Sequence, residues 1–138
     1  MGMTTPLRPD QADHVVTVLR VVDGDTLSCS VDLGFGIHID RIIRLDGLDT
    51  PELKGPMKAE GAALKSLLQQ LCPPGIMLLM RTFHYEVDHY GRIVATLYFA
   101  DGTPLLDRFP DRWKCTSRDA RVGKTFAKAG GIPASPVE

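Results

Sequence analysis

Three acids and an arginine occupy nine consecutive residues around a stiff turn. The stretch 44–52 reads Arg-Leu-Asp-Gly-Leu-Asp-Thr-Pro-Glu and stands between a strand-like pattern and a helix-like pattern. Pro51 fixes its own backbone and directs Thr50 toward an extended conformation. Asp49 and Glu52 are therefore held on a rigid turn, and we expect chemistry in this stretch.

A β-rich pattern surrounds the turn. β-branched residues and period-two alternation predict strands over residues 14–22, 27–33, 37–45, 76–83 and 92–99. A helix opening at Gly55-Pro56 carries an apolar stripe that we interpret as core: Leu64, Leu67, Leu68 and Leu71. Five strands with a helix between the third and fourth predict a mainly β, α+β protein with an OB-fold barrel.

The totals predict one domain in a chain of 138 residues. We expect a polar tail over 1–13, a barrel over 14–102, and a divergent segment over 103–138 that packs on the same domain. Residues 103–121 show no clear period and are interpreted as an ordered loop or insertion, followed by a short helix over 122–130. The chain shows neither an apolar run of membrane-spanning length nor a signal-peptide pattern, so the prediction is a cytoplasmic protein without membrane partners.

Charge and cysteine usage restrict the alternatives. The net charge is -1, so a nucleic-acid partner must be attracted by a local patch, and basic residues do gather over 108–128. That run is either a solvated face or a track for a nucleic-acid backbone, with Trp113 for base stacking. Three widely spaced cysteines argue against a disulfide framework or a zinc site, and the histidines at 14, 38 and 84 lack ligand spacing.

Three ordered blocks carry a family resemblance. Residues 22–26 (Val-Asp-Gly-Asp-Thr), 44–52 and 88–92 (Asp-His-Tyr-Gly-Arg) resemble the signature blocks of the staphylococcal-nuclease-like family, the thermonucleases. Residues 32–36 resemble the corresponding segment of compact, often phage-encoded members, which would place the protein in a host cytoplasm. The resemblance covers about residues 14–102 and implies an OB-fold barrel and calcium-dependent cleavage of DNA and RNA.

The resemblance also implies a cation site. Asp25 and Asp49 would supply carboxylate oxygens to one calcium ion, and Thr50 would supply its backbone carbonyl. A hard cation prefers such oxygen ligands and completes its shell with water and phosphate. Mg²⁺ or Mn²⁺ are the substitutes we consider for Ca²⁺.

The remaining matched residues are implied to act on the substrate. Glu52 corresponds to the general base or orienter of the attacking water, and Arg44 and Arg92 to the arginines that hold the scissile phosphate. Independently of the family, hydrolysis of an anionic phosphodiester needs a cation, a forked donor and a water-directing carboxylate. His89 and Tyr90 occupy the place of a phosphate-contacting lysine and tyrosine, and the histidine is a change that weakens phosphate binding.

Each residue also has an ordinary structural interpretation. The alternatives are turn acids at Asp23, Asp25 and Asp46, a surface charge at Arg44 paired with Asp40 or Asp46, a hairpin-end charge at Arg92, and a first-turn helix acid at Glu52. We assign Asp23 and Asp46 to their turns. The three blocks together favour the site interpretation for the others.

The sequence therefore predicts a calcium-dependent nuclease, an endonuclease that hydrolyses DNA and/or RNA by attack of water on phosphorus. The alternative is a noncatalytic OB-fold module that binds single-stranded nucleic acid or a protein partner. The final helix and later tyrosines of larger relatives have no counterpart here, so one side of the barrel is expected to be bare. A second copy of the chain, in a homodimer, is one way to cover it.

Overall fold

The structure, a computed structural model, describes residues 11–83 and 87–115. The strands are β1 (Gln11–Asp23), β2 (Thr26–Gly34), β3 (Ile37–Leu45), β4 (Met77–Phe83) and β5 (Ile93–Tyr98), with one α-helix, α1 (Lys58–Leu71), between β3 and β4. They form a closed barrel in the order β1-β2-β3-β5-β4, in which β4 pairs back to β1. The β3–β5 pair is parallel and the others are antiparallel. The prediction of a five-stranded, mainly β barrel with a helix after the third strand is confirmed.

Alternating side chains explain why the strands close around one core. Leu27, Cys29 and Val31 of β2 are buried, whereas the residues between them are partly exposed. Their partners across the β1–β2 ladder include Val16 and Val18, which are also buried. One apolar face per strand thus lines the barrel interior, as period two requires.

Helix α1 begins at Lys58, three residues after the predicted opening at Gly55-Pro56. Pro56 lies before the helix because a proline ring and the left-handed Gly55, at φ 94°, suit the preceding turn. Leu64 and Leu68 are buried in the core, and the other two leucines of the predicted stripe are partly buried against it. The helix therefore packs on the barrel through the predicted face.

The segment after β5 is ordered as far as it is described. Two short 3₁₀ helices, Leu105–Arg108 and Asp111–Trp113, follow a proline each. Leu105 and Phe109 are buried in the barrel core. This segment is thus part of the core as well as the ordered loop that was predicted. Residues 116–121 and the predicted helix over 122–130 lie outside the described residues.

The boundary between the predicted tail and β1 also differs from the prediction. Strand β1 begins at Gln11 rather than at residue 14, because its pairing with β4 continues to Gln11–Phe83. The predicted tail therefore overlaps the first strand residues.

Within residues 11–83 and 87–115, no helix has the length and apolar character needed to cross a membrane.

Candidate functional site

Asp25 lies in the turn between β1 and β2 with its carboxylate buried, at 6% exposure. The carboxylate accepts hydrogen bonds from the Thr50 backbone N–H (3.0 Å) and from the Thr26 hydroxyl (2.8 Å). The turn can approach residue 50 only because position 24 is glycine: a Cβ atom there would come within 2.8 Å of Thr50 Oγ1. Gly24 thus joins the first turn to the loop after β3.

The environment keeps Asp25 ionised. Burial by itself would raise the pKa of this carboxyl, but hydrogen bonds from the Asp23 side chain and the Thr50 amide, with the charge of Arg44, outweigh it. The pKa of Asp25 is lowered as a result. Burial and the adjacent Asp25 raise the pKa of Asp23, so Asp25 is the more acidic carboxyl of the pair.

Arg44 of β3 connects the acids to the loop that follows the strand. Its Nη1 donates to the Leu45 carbonyl (2.7 Å) and to the Leu48 carbonyl. Its Nη2 lies 3.6 Å from Asp25 Oδ2 and 3.4 Å from Asp49 Oδ1. The Arg44 side chain thus turns along the loop toward the β1–β2 turn and pairs with Asp25 and Asp49.

Asp49 depends on its backbone for its position. Its side chain is 74% exposed and meets Arg44 at the edge of the cluster. Its backbone N–H donates to the Trp113 carbonyl at 2.8 Å. Asp25, Arg44, Asp49 and Thr50, all predicted site residues, are thus brought together by the structure.

Glu52 stands apart from this cluster. Its side chain is exposed, and no hydrogen bond or ion pair within the described residues joins it to Asp25 or Arg44. Its backbone is packed against α1, where a Cβ atom on Gly61 would come within 2.6 Å of the Glu52 carbonyl oxygen. Because α1 begins only at Lys58, the alternative of a first-turn helix acid is wrong.

Arg92 is held by the acid that opens its own turn. Its Nε donates to Asp88 Oδ2 (2.7 Å) and its backbone N–H to Asp88 Oδ1 (2.9 Å). Desolvation opposes ionisation of Asp88, but these hydrogen bonds outweigh it and lower the pKa of the carboxyl. This geometry agrees with a hairpin-end ion pair, and it also fixes the direction of the guanidinium.

The strand register relates the two arginines. Arg44 pairs with Val94 across the parallel β3–β5 ladder, while Ile43 and Leu45, its neighbours, are buried in the barrel. Residue 92 precedes β5 by one position, and strand alternation continued to it would place Arg92 on the same outer face as Arg44. Arg44 itself lies on the outside of the barrel, between two buried neighbours.

His89 and Tyr90 lie at the tip of the β4–β5 connection. Both are exposed, their ring centroids are 4.1 Å apart, and the Arg92 guanidinium lies 4.9 Å from the Tyr90 ring centroid. The tip is thus a surface with ring faces and a cation. Arg92 joins this group to Asp88, and no contact within the described residues joins it to Asp25, Arg44 or Asp49.

The donor chemistry of the cluster fits a hard cation. Asp25 is ionised, Asp49 is an exposed carboxylate close to it, and Thr50 contributes a backbone carbonyl, so the set offers oxygen only. Among the described residues no group of three or more histidines, cysteines or acids forms a metal cluster. A hard cation held by this set would have to take its remaining oxygen ligands from water or another bound molecule.

Two residues support the site in ways that the sequence did not predict. Trp113, considered for base stacking as one of two alternatives, supplies the carbonyl that holds Asp49, and its ring is partly buried with Arg112 stacked 4.5 Å from its centroid. Leu105, Phe109 and Trp113 recur every four residues, a signal that could have marked this segment as packed. Gly61 carried no sequence signal beyond a glycine within a helix.

A scan against protein-family models and a search of curated protein sequences each found no match. The family resemblance of the three blocks therefore stays a prediction from the sequence.

Proposed function

We propose that this protein is a calcium-dependent phosphodiesterase of the staphylococcal-nuclease-like family that hydrolyses DNA and/or RNA. One observation carries the proposal: carboxylates from two separate turns, Asp25 and Asp49, converge within 3.6 Å of the Arg44 guanidinium. Like charges gathered around one arginine on an outer barrel face suit a site that handles both a cation and an anion.

The barrel supports an OB-fold assignment. The strand order β1-β2-β3-β5-β4 closes on β1, and the one described α-helix enters between β3 and β4. OB-folds present such outer strand faces and adjoining loops to oligonucleotides. The fold is thus compatible with a polymeric, phosphate-bearing substrate.

The acids would hold the cation. Asp25, Asp49 and the Thr50 carbonyl are the proposed ligands. The hydrogen bond from the Thr50 N–H to the Asp25 carboxylate holds these two residues next to each other. A bound divalent ion supplies positive charge that polarises the phosphate and lowers the pKa of associated water. Mg²⁺ and Mn²⁺ are poorer fits because the acids sit on loops that suit the flexible shell of Ca²⁺.

The arginines would hold the phosphate oxygens. Arg44 is oriented by the carbonyls of Leu45 and Leu48, and Arg92 by the Asp88 carboxylate, so neither guanidinium must be ordered when substrate arrives. Forked, charge-assisted donors match the planar geometry of phosphate oxygens. The two side chains would therefore stabilise charge that develops on the phosphate.

Glu52 would direct the attacking water. Its exposed carboxylate is free to face substrate, and Gly61 packing fixes the backbone that carries it. His89 and Tyr90 would contact a neighbouring phosphate, with weaker attraction than lysine gives because neutral imidazole lacks charge. The proposed reaction is attack of this water on phosphorus with release of the ester oxygen.

The proposal is tested with plasmid and single-stranded DNA and RNA, each with calcium, magnesium, manganese or a chelator. Glu52→Ala and Arg44→Ala are compared with the exposed controls Glu60→Ala and Arg41→Ala. We expect calcium-dependent cleavage that falls at least about 100-fold in the first two variants and persists in the controls. Wild-type protein that cuts no substrate with any metal would refute the proposal.

A noncatalytic nucleic-acid-binding module is the second candidate. It is favoured by two arginines stacked on aromatic rings after β5, Arg108 on Phe99 at 5.1 Å and Arg112 on Trp113 at 4.5 Å. Such cation and ring pairs are suited to single strands. Binding of labelled single strands with no cleavage under any metal would favour this candidate.

A further inference from the structure

Residues 113–115, which we call the strap, pair with the loop that carries Asp49. The Asp49 N–H donates to the Trp113 carbonyl (2.8 Å), and the Cys115 N–H donates to the Gly47 carbonyl (2.9 Å). Leu48 and Lys114 face each other between these two bonds as an antiparallel bridge. A piece of chain more than sixty residues away thus forms a two-residue ladder with the loop.

The strap is itself anchored in the core. Leu105 and Phe109, on the segment that leads to it, are 1% and 4% exposed. Pro104 and Pro110 start the two 3₁₀ helices at φ -65° and -62°, the values that a proline ring imposes. Lys114 continues in an extended conformation at φ -81° and ψ 144°. The segment is therefore stiff enough to hold what pairs with it.

The strap adds two backbone bonds to a loop that Arg44 also contacts through the Leu48 carbonyl. The exposed Asp49 side chain makes a 3.4 Å contact with Arg44, which is long for a hydrogen bond. The Thr50 N–H donates to the Asp25 carboxylate, and the Asp46 N–H donates to the Ala95 carbonyl. Between those two ties, the backbone of Gly47 and Asp49 is bonded to the strap.

We propose that the strap is a positioning element for the cation site, which sets where Asp49 and Thr50 lie relative to Asp25. The inference deepens the proposed function and rests on it for the identity of the ion. The strap touches neither ion nor substrate. It acts through the backbone of the Asp49 loop.

One substitution removes a single bond of the ladder. Cys115→Pro deletes the N–H that reaches Gly47, and Lys114 already has the extended conformation that a following proline requires. Cys115→Ala keeps the N–H and removes the same thiol, so it is the matched control. Trp113→Leu is the second variant, for use if the proline variant does not fold. It replaces the partly buried Trp113 ring with a smaller side chain and leaves every backbone hydrogen bond possible.

The first measurement is amide hydrogen exchange over residues 44–52 without metal. We expect exchange at the Asp49 amide, which donates to the Trp113 carbonyl, to be about three- to tenfold faster in Cys115→Pro than in Cys115→Ala, the scale of one net hydrogen bond. The rest of the barrel should exchange equally in both. Equal exchange at the loop would overturn the proposal.

The second measurement is a titration with calcium alone. Trp113 is the single tryptophan of the chain and lies on the strap, so its fluorescence emission reports calcium binding in the two Cys115 variants. Calcium binding to Trp113→Leu is measured by calorimetry. We expect the calcium midpoint to rise about three- to tenfold in Cys115→Pro relative to Cys115→Ala. Faster exchange with an unchanged midpoint would overturn the positioning role.

The two proposals fail separately. A wild-type protein that binds no calcium and cleaves no substrate refutes the proposed function, and the exchange comparison then decides whether the strap holds the loop. A wild-type protein that binds calcium and cleaves, with both Cys115 variants indistinguishable, refutes the strap alone.

Discussion

Gly61 of α1 lies against the backbone of Glu52 so closely that a Cβ atom at position 61 would come within 2.6 Å of the Glu52 carbonyl oxygen. Glycine within a helix costs about 0.5–1 kcal/mol relative to alanine. The close approach offsets part of that cost, because it packs the backbone of Glu52 against a helix whose Leu64 and Leu68 lie in the core. The helix thus serves the candidate site as well as the barrel.

Gly61→Ala is therefore expected to destabilise the protein, contrary to the usual effect at a helical glycine. The added methyl group meets backbone carbonyls that cannot rotate away, and we expect a loss of about 1–3 kcal/mol in the free energy of unfolding. Urea denaturation measures it. Ser66→Ala, at an exposed position of the same helix, should gain a few tenths of a kcal/mol (~0.3). A Gly61→Ala variant more stable than wild type would contradict the packing argument.

Arg44→Lys should impair the loop even though the charge is kept. One lysine ammonium cannot donate to the carbonyls of Leu45 and Leu48 and also face Asp25 and Asp49, as the two ends of the guanidinium do. We expect a loss of about 1–3 kcal/mol in the free energy of unfolding, since a buried acceptor is left unpaired. Thermal denaturation measures it, with Arg41→Lys, an exposed position on β3, as the control. Equal stability of the two variants would show that the forked geometry is dispensable.

The barrel could be predicted because its cause is local, whereas the support of the site could not. Period two along Leu27, Cys29 and Val31 is enough to give a buried face, and the same holds for the leucine stripe of α1. Pairing of Trp113 with Asp49 is a backbone contact between distant segments, which side-chain identity does not encode. The resemblance placed Arg44, Asp25 and Asp49 in one site, but the ion pairs of the arginine with both acids were not predicted, because they depend on how two turns meet.

Asp88→Asn should lower stability at neutral pH and have a smaller effect in acid. The folded protein lowers the pKa of Asp88 from its ordinary value of 3.8, since hydrogen bonds from Arg92 and Tyr90 outweigh desolvation. Its stabilising contribution is therefore fully present above pH 3.8 and is lost as the pH falls through the lowered pKa. We expect the variant to lose about 1 kcal/mol at pH 7, the scale of one partly exposed charged pair.

Urea denaturation of wild type and Asp88→Asn at pH 7, 4 and 2.5 measures that dependence. The difference between the two proteins should shrink toward the lowest pH, because below 3.8 the carboxyl of the unfolded chain takes up a proton that the folded protein resists. Asp107→Asn is the comparison, because that exposed acid makes no ion pair within the described residues. A difference that stays constant from pH 7 to 2.5 would mean that Asp88 acts through shape alone and not through its charge.

Phe35→Asn is expected to stabilise the β2–β3 hairpin. Phe35 is fully exposed and has φ 59° between two glycines that also have positive φ, so it carries left-handed strain without any packing in return. Asparagine tolerates this conformation better than an aromatic residue, and we expect a gain of about 0.5–1 kcal/mol in the free energy of unfolding. Phe35→Ala removes the same ring but has no such preference, so it should gain less. If thermal unfolding gave the same midpoint for both variants, the backbone strain at residue 35 would not be a factor in stability.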